Sequence, residues 1–185
     1  MDLDLRVVKT RQLIREALLD LMSERVLSKI SISELCARAG INRKTFYRHY
    51  RTVDDVITEI ENDILSEFAA VFKSHNSSIF DVGAALREIS SAVNARREYF
   101  ARLLKLNPDL FGKGKIKAAL CRMFSVSLRS SGTIKDENAI LIASEFAVSG
   151  VLSLYGAWFD GGCEGRLEDI TEIAVKMITQ GLTTL

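Results

Sequence analysis

Residues 42–50 read NRKTFYRHY, a run of donors suited to a nucleic-acid duplex. Arginine and lysine donate to guanine O6 and N7, and a threonine methyl packs on that of thymine. Arg43, Lys44, Thr45 and Arg48 are therefore the candidate base readers. Tyr47, His49 and the upstream Ser31 and Ser33 suit phosphate oxygens, and Asn42, which caps the segment, stands with them near the backbone N–H groups of a helix start. No catalytic group emerges, because His49 has no serine or cysteine partner in its local pattern and His75 sits in a polar stretch. Cys36, Cys121 and Cys163 are far apart and form no C-x-x-C pair, so no metal site, disulfide framework or cofactor is expected.

Two helices joined by a glycine turn would position such a segment. Ser31 with Glu34 three residues later forms a capping box, which predicts a helix over 32–39. Gly40 ends it and Asn42 starts the next. At roughly 100° per residue, Phe46 and Tyr50 share one side and can pack on Leu35, Ala39 and Ile41, leaving Lys44, Thr45 and Arg48 outside. An earlier helix carries Leu13, Ile14, Ala17, Leu18, Leu21 and Met22 on one face, and Thr52 with Asp55 caps a long fourth one.

The 185 residues contain one proline and eleven glycines, favouring long helices, and the expected class is all-α with about nine of them. The expected organisation is a DNA-binding head at 1–52, a connecting helix at 53–73 and a body at 74–185. Residues 1–51 hold 11 Lys and Arg against 6 Asp and Glu, whereas the remainder holds 14 against 18, so the head is the part suited to a polyanion. Further helices are expected over 79–94, 96–106, 113–130, 136–159 and 166–182, with breaks at NPDLFGKG, RSSGTIKD and DGGCEG and a loop at 74–78.

Residues 139–159 carry one charge, Glu145, over a membrane-span length, but acidic flanks favour a buried or subunit-interface helix. No membrane association is expected. The two apolar C-terminal helices, 136–159 and 166–182, are the expected homodimer contact. Phe68, Phe72, Phe100, Leu104, Phe124 and Phe146 are candidate walls for a small apolar effector. With no secretory core at the start of the chain, the expected compartment is cytoplasmic.

The run S-x-x-E-L-C-x-x-A-G-I-N-x-K-T-F-Y-R-H-Y, followed by T-x-D-D-V, resembles the helix-turn-helix signature of the TetR family of bacterial transcriptional regulators. The resemblance implies a homodimeric repressor that binds a near-palindromic double-stranded operator and is released when an effector in the body shifts the fourth helix. Three residues depart from the pattern: Lys44 replaces a small residue, Cys36 an alanine, and Val53 a lysine that contacts phosphate, a charge Arg51 could restore. The stretch LYGAWFDGGCEGRLEDITEIA resembles the branch of dihydroxyacetone kinase regulators. That leaves an activator or adaptor controlled by a protein partner as the alternative, and an all-helical enzyme as a remote one.

Overall fold

Helix punctuation decides where the chain turns. The computed structural model describes residues 2–75, 79–106, 114–132 and 134–182, and among these no strand occurs. The helices are α1 (Asp2–Glu24), α2 (Ile32–Ala39), α3 (Arg43–Tyr47), α4 (Val53–Ser74), α5 (Ile79–Ala95), α6 (Arg97–Leu106), α7 (Lys115–Ser131), α8 (Glu137–Phe159) and α9 (Leu167–Leu182). The expected break at 107–113 and part of the expected loop, 76–78, lie outside the described residues. The chain divides into two compact units, Met1–Asp63 and Ile64–Leu185, and the division falls inside α4.

In the first unit α1 packs on α2 and α2 on α3. Ile14, Leu18, Leu35, Phe46, Val56 and Ile60 are its buried centre. Leu13, expected on the inner face of α1, is 39% exposed, while Leu19 is buried instead. Both expected capping boxes form. The Ser31 hydroxyl accepts from the Glu34 N–H at 3.2 Å while the Ser31 N–H donates to the Glu34 carboxylate at 3.0 Å. Thr52 and Asp55 repeat the exchange at 3.2 and 2.9 Å, and the Arg51 N–H adds a donor to Asp55 at 2.7 Å. These backbone donors hold the carboxylates of Glu34 and Asp55 below the usual carboxylate range.

In the second unit α5 lies against α9, and α8 packs on both α7 and α9. The closest approach is at Gly83, where a Cβ atom would stand 2.8 Å from Cγ1 of Val175. A buried hydroxyl cluster ties α5, α8 and α9 together. Thr171 donates to the Leu167 carbonyl at 2.7 Å, so its oxygen is left to accept from Ser90 at 2.7 Å and from Tyr155 at 3.0 Å. Burial pushes the Tyr155 phenol up, so this donor stays protonated. Among the described residues α8 is the one helix long and apolar enough to cross a membrane, and a third of its most apolar window is buried in the body.

Two stability measurements follow from these contacts. Gly83→Ala should lower stability by about 1–3 kcal/mol through overpacking, against the roughly 1 kcal/mol that alanine ordinarily adds to a helix interior; urea denaturation of the two proteins decides the sign. Ser31→Ala and Thr52→Ala should each cost about 1 kcal/mol at neutral pH. Because the capped carboxylates have lowered values, their stabilisation is full above the ordinary range near pH 4 and fades as pH falls through the lowered values. The wild type and the cap variants should therefore converge in acid.

Candidate nucleic-acid interface and a cavity in the body

The turn that aims the third helix is built from one glycine and one asparagine. Gly40 adopts φ 65°, a left-handed conformation that a side chain would strain, and the following Ile41 N–H returns to the Cys36 carbonyl at 3.0 Å. Asn42 then accepts at Oδ1 from the Thr45 N–H at 2.8 Å and from the Thr45 hydroxyl at 3.0 Å. Phe46 is fully buried and Tyr50 nearly so, with ring centroids 5.7 Å apart. Cys36 is a buried core residue of α2.

On the other side Arg43, Lys44, Tyr47 and Arg48 are exposed, while Thr45 and His49 are half-buried. The structure thus separates the packed pair from the polar face as the wheel expected. It differs in extent, because α3 ends at Tyr47. The Arg48 N–H reaches back to the Thr45 carbonyl, and the N–H groups of His49 and Tyr50 both reach that of Phe46, which tightens the last turn. Arg48 and His49 are carried by that turn. Arg43 lies 6.0 Å from the centroid of the Tyr47 ring. Burial, with Arg11 and Arg48 nearby, pushes the His49 imidazole below its ordinary value, so at neutral pH it is a neutral hydrogen-bonding group. Ser31 spends its hydroxyl on the cap, donating to Glu34 at 2.8 Å, whereas Ser33 is exposed in the first turn of α2.

Ion pairing sorts the basic residues of this unit. Arg15 binds Asp63 at 2.6 Å and also Glu59; Arg11 reaches Glu59 at 3.5 Å, Arg25 reaches Glu34 at 2.7 Å and Arg38 reaches Glu24 at 2.6 Å. Lys29, Lys44, Arg48 and Arg51 are exposed and have no ion pair among the described residues. Sequence reasoning missed Lys29, which precedes α2, because pairing between distant residues leaves no local pattern. Val53 opens α4 and, with Val26, Ile30, Ile32 and Thr52, lines a shallow groove between the N-terminal ends of α2 and α4. That groove also carries the exposed Asp54. Arg51 stands just before it, so a cation is available on that side although position 53 is apolar.

Within the second unit, Phe68, Phe72, Phe100, Leu104 and Phe124 come together around a cavity of about 80 Å³, where Tyr155 joins them. Phe146 does not. It is 77% exposed and lines an open surface groove with Leu141, Ile142 and Gly150, because it falls on the face of α8 opposite Ala147 and Val148, which do reach the cavity. Met177 and Ile173 of α9 are also largely exposed. No group of three or more metal-ligating side chains occurs among the described residues.

Residues 14–60 match the family described as bacterial regulatory proteins, tetR family. The HTH-type transcriptional regulator YxbF of Bacillus subtilis (strain 168) is 29% identical over 97 residues, covering 50% of this chain and 26% of that protein. The chain thus matches about a quarter of that relative's length. Among solved structures, the dihydroxyacetone kinase operon activator DhaS aligns over 95% of this chain and 97% of its own, at 14% identity and a TM-score of 0.60. A TetR transcriptional regulator from Rhodococcus sp. RHA1 aligns over 94% and 97%, at 17% identity and a TM-score of 0.55. At these identities the two alignments speak to the fold alone. The family and these relatives are transcriptional regulators, not enzymes. The matched segment covers the caps, the Gly40 turn and the exposed basic face described above, and residues 14–60 form a helix-turn-helix domain of the type found in the tetR family of bacterial regulatory proteins.

Proposed function

We propose that the chain is a sequence-specific, cytoplasmic transcriptional regulator that binds a near-palindromic operator as a homodimer and is released from it by a small apolar effector. The observation that carries the DNA reading is the sorting of charge: Lys44 and Arg48 have no ion pair among the described residues and flank a buried Phe46, while Arg11, Arg15, Arg25 and Arg38 are paired with carboxylates. Arg43, Lys44, Thr45 and Arg48 serve base edges, and Ser33, Tyr47 and His49 serve phosphates. Ser31 and Asn42 act chiefly as caps that present backbone N–H groups.

The dimer reading rests on the outer faces of α8 and α9, where Leu141, Ile142, Phe146, Ile173 and Met177 are all more than half exposed. Exposed apolar side chains of this kind suit a two-fold contact, in which each patch covers its own copy. Two heads so joined would address half-sites about 34–36 Å apart, one turn of DNA, or a multiple of that. The body cavity favours release by an effector. DhaS, a fold relative, is an activator by name, so activation under a partner's control is the second reading for the sign of regulation.

Site selection with purified protein gives a direct test. Arg48→Ala should cost about 1–3 kcal/mol on the selected operator and relax preference at one position, whereas Tyr47→Phe should weaken all sequences alike; an Arg48→Ala protein that binds the operator as wild type does would remove the recognition assignment. Sedimentation at micromolar concentration should show a dimer for wild type and a monomer for the double substitution Phe146→Glu with Met177→Glu. A wild-type monomer would end the α8–α9 interface.

A further inference from the structure

The chemistry of the cavity wall defines what it can hold. Residues from α4 to α9 contribute to it, and every lining side chain is a hydrocarbon or an aromatic ring, with Tyr155 the one that carries a polar atom. The Tyr155 hydroxyl proton is already spent. Thr171 gives its proton to the Leu167 carbonyl, so the contact between Tyr155 and Thr171 requires the phenol to be the donor. A cation beside the wall is committed as well, since Arg96 lies 5.1 Å from the Phe100 ring centroid and is paired with Glu67 at 2.6 Å.

We propose that this cavity selects an uncharged, hydrocarbon-rich molecule and rejects carboxylates and amines, so that the effector is recognised by shape and apolarity with no polar anchor. The inference rests on the effector reading above and specifies its chemistry. A buried ion without a partner is strongly disfavoured and would have to neutralise on entry. Water gains little in the same space, since it requires two to four polar partners, and a dry apolar void of about 150 Å³ is known to take up benzene. At about 80 Å³ the present cavity is smaller, and a short chain or a ring enters it with modest movement of the lining side chains.

Hexanol and hexanoate, which share a chain and differ in head-group charge, are the probes. Methyl-detected NMR at neutral pH should show hexanol shifting the methyls of Val82, Val148, Val151 and Leu152, with hexanoate needing about 100-fold more for the same shift, or producing none. Equal titration by the two compounds, or no response to hexanol up to its solubility limit, overturns the proposal. Ala147→Leu should fill the space and abolish the hexanol shifts, and Val151→Leu serves the same end with a smaller change if the first variant does not fold. Undiminished shifts in a folded variant also overturn it. Operator affinity is measured separately: hexanol that moves the wall methyls and leaves operator affinity unchanged removes the effector reading while the selectivity of the cavity stands.

Discussion

A helix of five residues has almost no stability of its own, because nucleation fixes several dihedrals before the first hydrogen bond forms. The direction of α3 is consequently set by what its inner side chains are packed into. Phe46, with no exposed surface, is that anchor, and Tyr50 packs beside it at 5.7 Å. Every polar group on the outer side inherits its position from this burial. The Asn42 cap and the Gly40 turn fix where the helix starts; Phe46 fixes how it is rotated about its axis. Truncating such a ring would remove about 3–5 kcal/mol of stabilisation, a large fraction of what a small domain possesses.

Electrostatics of the head follow the same logic of position over strength. Exposed ion pairs such as Arg25 with Glu34 and Arg38 with Glu24 add little to stability, so their main effect is on where charge remains. They occupy Arg25 and Arg38, as Glu59 and Asp63 occupy Arg11 and Arg15. Among the exposed cations without an ion pair among the described residues are Lys29, Arg43, Lys44, Arg48 and Arg51, and they leave a positive field on the head. Such a field acts on any polyanion and steers encounter, while discrimination falls to the side chains held by Phe46.

The features legible in the sequence are the local ones. Ser31 with Glu34, Gly40, Asn42 and Thr52 with Asp55 each act within four residues, so their spacing carries the geometry, and all of them form as their types require. Five of the six expected wall residues also meet, because they lie on amphipathic helices whose apolar face is unambiguous. Phe146 fails for a physical reason. Helix α8 is apolar nearly all round, so periodicity cannot separate the face that meets the cavity from the face that meets the outside. Contacts that join distant positions, such as Gly83 against Val175 or Arg15 against Asp63, have no local signature at all.

The same all-round apolarity explains why α8 has two roles in the proposed assembly. Its inner residues Ala147, Val148 and Tyr155 belong to the body, and its outer residues Leu141, Ile142 and Phe146 are left for a second copy. Helix α4 is divided lengthwise instead. Glu59 and Asp63 near its middle hold Arg11 and Arg15 of α1, and Phe68 and Phe72, further along, are cavity wall. The boundary between the two compact units falls between these two sets of residues, after Asp63. In the proposed function, an occupant of the cavity acts on the operator only through its difference in affinity between two arrangements of the protein. A cavity without a polar anchor makes that difference depend on packing alone, which favours a ligand whose volume, rather than its charge, sets the shift.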